Sequence, residues 1–238
     1  MNTYPLPQDK EMTLIEHLSE LRSRLLKSLV ALAVCTLLCW GFIDSIIGFL
    51  TAPASNLYYM RPAEAFFIYL KVALAAGVLL ASPLLFFQLW AFLVPAFNSR
   101  EKSALLPFVI CSVLLFWLGI GFSYYFVFPQ GLSFFTSFAG ERVAPMLSIE
   151  SYLDFFLMLV LPFGFIFNLP MALIVLASMG LVGSQQLQKG RRYMILAAFI
   201  LAGVITPTPD VVTQTLLAVP MIVLYEGSRL FIRYLLRK

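Results

Sequence analysis

Four apolar runs, each about as long as a bilayer core is thick or longer, set the first limit on what this chain can become. They cover residues 25–43, 66–94, 105–128 and 152–179. A helix rising 1.5 Å per residue crosses a ~30 Å hydrocarbon layer in about 20 residues. Two shorter runs follow, 193–205 and 211–225, separated only by Thr206-Pro207-Thr208-Pro209-Asp210. One water-soluble core could not bury this much: 61% of the 238 residues are apolar and only 12% charged, against roughly 45–50% and about 25% in soluble domains. Mean hydropathy is +0.91. The chain reads as an all-α polytopic membrane protein, which excludes a soluble enzyme, a disordered chain and a conventional nucleic-acid binder.

The two short runs decide the number of crossings. Runs of 10–14 residues suit re-entrant segments, but the Pro-rich break between them would make a sharp turn. Two short spans forming a hairpin fit a locally thinned bilayer. Six spans are therefore expected, with four plus a re-entrant pair as the alternative. Six spans place thirteen of the sixteen Lys and Arg on one side, leaving Arg61, Lys71 and Arg142 on the other. By the positive-inside rule, both termini are expected in the cytoplasm. The layout is a single transmembrane domain over residues 1–238, with a cytoplasmic amphipathic segment (1–24) and a short cytoplasmic tail (226–238). Pro83, Pro107, Pro162, Pro170 and Pro220 lie within or at the ends of spans, so a bundle of kinked helices with a concave, cupped face is expected.

Chemistry-bearing residues are few. The three cysteines, Cys35, Cys39 and Cys111, sit inside apolar runs, which argues against a disulfide framework. His17 is the only histidine, so no metal site and no cofactor is expected. No nucleophile–base set, HExxH, GxGxxG or Walker-type loop is present, and no catalytic residue is assigned. Leu14, Leu18, Leu21 and Leu25 recur at helical spacing, so the segment before the first span reads as an amphipathic helix. On it, Glu20 and Arg24 are four apart and can pair. Glu101 lies in a short loop, Pro95–Lys102, on the same expected side. Two carboxylates there could receive a cationic peptide, or both could be ordinary solvated acids. Asn168, in the fourth run, is a polar group at membrane depth: helix–helix glue or a partner contact. Lys71 is expected to snorkel to the outer interface.

Read together, several motifs resemble one family. They are His17-Leu18-x-Glu20-Leu21-Arg22-x-Arg24, Ser82-Pro83 with Gln88-x-Trp90-x-Phe92-x-x-Pro95, Phe163-Gly164, and Thr206-Pro207-Thr208-Pro209-Asp210 with Gln214. In this order they are similar to TatC, the receptor subunit of the twin-arginine protein translocase, over about residues 12 to 235. The resemblance implies a receptor for twin-arginine signal peptides in the bacterial cytoplasmic (inner) membrane. Such a receptor self-associates, works with single-span TatA- and TatB-type partners, and exports folded proteins on the protonmotive force. It also implies that Glu20 and Glu101 meet the signal arginines, that Arg22 is functionally sensitive and that Phe92 contacts substrate. Thr206 and Gln214 fall on the family's polar, partner-docking patch. Asn168 stands where the family commonly has Glu or Gln, so a docking role carries over and a titrating one does not. The competing reading, a secondary transporter of a small solute, would require inverted repeats and ionisable groups near midplane; no duplication is evident.

Overall fold

The computed structural model describes residues 14–54, 57–93, 105–137, 147–206 and 210–235. Glu101 and its loop, residues 1–13 and the tail from 236 lie outside them, as do 207–209 of the Pro-rich turn. Among the described residues the chain is helical: α1 Leu14–Trp40, α2 Ile43–Thr51, α3 Pro62–Leu93, α4 Leu105–Phe122, α5 Phe128–Thr136, α6 Ile149–Ile166, α7 Leu169–Ser178, α8 Ser184–Ile205 and α9 Val211–Leu235. A π-helical turn, Ser123–Val127, joins α4 to α5 without a break.

Five of these stretches are long and apolar enough to cross a membrane: 15–40, 63–93, 105–136, 149–178 and 211–234. The expected fifth crossing corresponds to α8, a 22-residue helix whose first turns are polar. Its apolar part alone is short, as the sequence indicated. α1 runs unbroken through residue 24, so the described part of the amphipathic segment, residues 14–24, is the beginning of the first long helix.

The packing is that of a bundle whose solvent is apolar. On α1, Leu25, Leu29 and Leu37 stand 66%, 61% and 73% exposed. In water this would be an aggregation surface; in hydrocarbon it is a lipid-facing one. With no hydrophobic force between helices in lipid, close approach at small residues takes over. α1 packs along α3 at Gly77, where a Cβ would lie 2.9 Å from the Thr36 Cα. α4 packs on α6 at two facing glycines. A Cβ on Gly164 would sit 2.5 Å from the Phe116 ring, and one on Gly119 would collide with the Phe163 carbonyl. Phe116 and Phe163 fill the space around this crossing and are almost wholly buried.

Prolines and one asparagine interrupt the helical hydrogen bonding. Pro83, Pro162 and Pro220 lie inside α3, α6 and α9, where each removes a backbone donor. Between α6 and α7 the helix opens at Phe167 and Asn168, and Pro170 lies in the first turn of the next segment.

At one end of the bundle, the segments just before α3 and just before α6 meet, at residues 57–61 and 147–148. Tyr58 N–H donates to Leu147 O and Ile149 N–H to Tyr58 O, both at 3.1 Å. Glu64, 3% exposed, accepts from the N–H groups of Met60 (2.7 Å), Arg61 (3.0 Å) and Glu150 (3.2 Å). One buried carboxylate thus ties the start of α3 to the start of α6.

Candidate functional site

The opposite end holds the residues singled out at the N-terminus. Helical spacing stacks Glu20 and Arg24 one turn apart on α1. Arg24 donates to Glu20 Oε1 from Nη2 at 2.6 Å and Nε at 2.9 Å. Its remaining arm, Nη1, reaches Gln88 Oε1 on α3 at 3.3 Å. Both members of the ion pair are largely shielded, 24% and 19% exposed for Arg24 and Glu20. Glu20 Oε2 is buried without a hydrogen-bond partner. One turn before, His17 stacks on Phe92 with ring centroids 4.4 Å apart and planes 18° from parallel. Two contacts, one polar and one aromatic, therefore fasten the beginning of α1 to the end of α3. Arg22 is exposed on α1. Glu101 lies outside the described residues, so its distance to Glu20 is not part of this geometry.

Asn168 sits at the helix opening. Its backbone N–H donates to Phe165 O at 3.0 Å, one residue short of the helical partner. The carbonyl of Gly164 is taken instead by the Asn168 side-chain Nδ2, at 3.0 Å. The amide repairs the break that Pro170 imposes, while its Oδ1 remains buried and without a partner. The nitrogen acts within its own run and makes no bond to another helix, and the oxygen is left over.

Thr206 and Gln214 come from the two arms of the α8–α9 hairpin. Thr206 is 6% exposed and donates to Ala202 O at 2.9 Å. Gln214 Nε2 donates across the hairpin to Phe199 O at 2.7 Å. Asp210 caps α9 through the Thr213 N–H at 2.7 Å, and the Thr213 hydroxyl also bonds to its carboxylate. Of the two residues, Gln214 alone bonds across the hairpin; Thr206 bonds back to its own helix.

Several polar partnerships were not anticipated. Lys71 is paired on the bundle surface with two acidic residues of α6. Its Nζ lies 2.8 Å from both carboxylate oxygens of Asp154 and 3.6 Å from Glu150 Oε1. The sequence signal was an Asp inside an apolar run, on the expected fourth span. Gln88 was visible within a motif, but its link to Arg24 spans 64 positions and leaves no local trace. At the other end of the hairpin, Glu226 lies between Arg191 (2.7 Å) and Arg229 (3.0 Å), while the Tyr225 hydroxyl donates to Leu187 O at 2.7 Å. Cys35, Cys39 and Cys111 are free thiols. Among the described residues no three His, Cys, Asp or Glu side chains gather where a metal ion could be held.

Comparison with known proteins identifies the architecture. The family described as Sec-independent protein translocase protein (TatC) matches residues 16–220. The chain belongs to the TatC family. It is 41% identical over 235 residues to the Sec-independent protein translocase protein TatC of Desulforapulum autotrophicum, covering 94% of this chain and 87% of the relative. The chloroplastic relative from Arabidopsis thaliana is 38% identical over 227 residues, covering 94% of this chain and 67% of that protein. A crystal structure of the twin-arginine translocase receptor TatC aligns with a TM-score of 0.83 at 38% identity, over 92% of this chain and 98% of the other. The chain is thus a helical membrane component of Sec-independent protein translocation, a family of transport proteins and not of enzymes.

Proposed function

We propose that this TatC family member is the receptor that binds twin-arginine signal peptides, with Glu20 and Glu101 as the acceptors for the two guanidinium groups. The observation that carries the reading is the Arg24–Glu20–Gln88 arrangement. One carboxylate and one amide, on two different helices, already hold a guanidinium here with three hydrogen bonds. Fully exposed ion pairs are individually worth only about 0–1 kcal/mol, so selectivity for two arginines calls for shielded acceptors. Glu20, 19% exposed, is one. Phe92, held by His17, lines the approach from α3, and Arg22 stands on the adjoining surface of α1.

The surrounding topology is read as six spans with both termini cytoplasmic, α8 and α9 forming the short last pair, in a bacterial cytoplasmic membrane. The 1–24 segment and the tail from 226 then belong to the cytoplasmic side of a single transmembrane domain. TatA- and TatB-type single-span partners and further copies of the receptor complete the translocase, and transport of folded proteins draws on the protonmotive force. Asn168, Thr206 and Gln214 serve partner docking. The unpartnered Asn168 Oδ1 supports this assignment, because an acceptor at membrane depth gains most from a donor brought by another helix.

The test is site-specific crosslinking of a synthetic twin-arginine signal peptide to the full chain in membranes. Glu20→Gln and Glu101→Gln should each reduce capture roughly tenfold or more, the scale of one hydrogen bond to a charged group, with insertion unchanged. A Lys-Lys peptide should bind less well because a single ammonium cannot make the fork. Undiminished capture in the double variant rules the site out.

A further inference from the structure

We propose that Arg24 is a built-in stand-in for the incoming guanidinium: it occupies Glu20 in the free chain and must give up that carboxylate when a signal arginine binds. This deepens the receptor reading and rests on it. Three observations carry the inference. Arg24 directs two of its N–H groups at a single oxygen of Glu20, at 2.6 and 2.9 Å, the atom an arriving arginine would seek. The other oxygen, Oε2, is buried and without a partner, so a fork-on-fork pairing with a ligand needs Arg24 to move aside. Gln88 Oε1, 3.3 Å from Nη1, holds the guanidinium in place from a different helix. An i,i+4 pair on its own would leave Arg24 free to swing into solvent; the α3 amide makes the occupied state the defined one.

An internal competitor at this place has two consequences. While the receptor is empty, the shielded carboxylate is never left without a cation, which would be costly. Any ligand must also outbid a tethered arginine for Glu20. A lone lysine, with no fork to offer, loses that competition, so Arg24 sharpens selectivity while lowering affinity.

The experiment measures equilibrium binding of a fluorescent twin-arginine peptide to the full-length chain in nanodiscs. Arg24→Lys keeps the positive charge and loses both the fork and the reach to Gln88. Displacing a partly shielded ion pair of this kind corresponds to about a two- to fivefold change in Kd. Arg24→Lys should tighten peptide binding by that amount, and Glu20→Gln on the same background should remove the gain. If Arg24 instead orients Glu20 for the ligand, Arg24→Lys weakens binding or leaves it unchanged, and the stand-in role is overturned. Because charge is conserved, a gain cannot be assigned to lower repulsion of a basic peptide. Where Arg24→Lys fails to fold, Gln88→Leu releases the same guanidinium from the other side: tighter binding supports the proposal and unchanged or weaker binding refutes it. If the wild type captures no peptide at all, the receptor reading itself fails, an outcome distinct from capture without a gain.

Discussion

The α4–α6 crossing and the α1–α3 rim join pairs of helices by opposite means. At the crossing, Gly119 and Gly164 remove side chains altogether, so each backbone meets the aromatic rings of the other helix. At the rim, the contacts are long polar and aromatic side chains: Arg24 to Glu20 and Gln88, His17 to Phe92. A contact made by absence has one geometry and no substitute. A contact made by flexible side chains can be exchanged for another of the same chemistry, and only such a contact can serve recognition.

That comparison can be broken or sharpened by substitution. The largest effect is expected at the crossing. Gly164→Val places methyl groups against the Phe116 ring, 2.5 Å from the added Cβ, and overpacking of this kind costs about 1–3 kcal/mol. Thermal unfolding in detergent should show a clear loss. Second, Trp90→Phe removes the indole donor to Ser112, a 2.8 Å bond between wholly enclosed side chains, and should destabilise by about 1 kcal/mol. Third, Asn168→Leu strands the Gly164 carbonyl at the α6–α7 opening and should cost about 0.6–1 kcal/mol, the usual range for side-chain hydrogen bonds in membrane helices. The smallest effect on stability is expected from His17→Ala at the rim, about 0.5 kcal/mol for a part-exposed ring pair. If His17→Ala unfolds the chain while Gly164→Val is tolerated, the contrast between the two joints is wrong.

Much of the fold was legible because a bilayer sets a length scale that the sequence must meet. The apolar runs found α1, α3, α4 and α6, and the Pro-rich stretch 206–210 of the sequence separated α8 from α9. Pro170 marked the place where the fourth apolar run opens. Other features left no local mark. The π-turn at 123–127 interrupts a run of Ser, Tyr, Phe and Val that reads equally well as plain α-helix. Asp154 and Lys71 are 83 positions apart, and only the packing of α3 against α6 brings them together. At the candidate site, the Glu20–Arg24 pair followed from helical spacing, whereas Gln88 and the His17 stack depend on how α1 lies along α3. Gln214 was visible as a polar residue near the membrane, yet its partner is a backbone carbonyl of Phe199, which no residue type announces.

The π-turn between α4 and α5 has its own consequence. Such a turn holds one residue more than an α-helix of the same rise, and one residue corresponds to about 100° of rotation. Phe128 and Gly131 are buried beyond the turn, Gly131 against Phe155 of α6, while Tyr125 and Phe126 face outward from it. Removing a single residue between 123 and 127 would swing the whole of α5 by about a quarter of a circle, carrying Phe128 off its seat. The phase of the third long helix is therefore set by counting, and the chain can vary its side chains there more freely than its length.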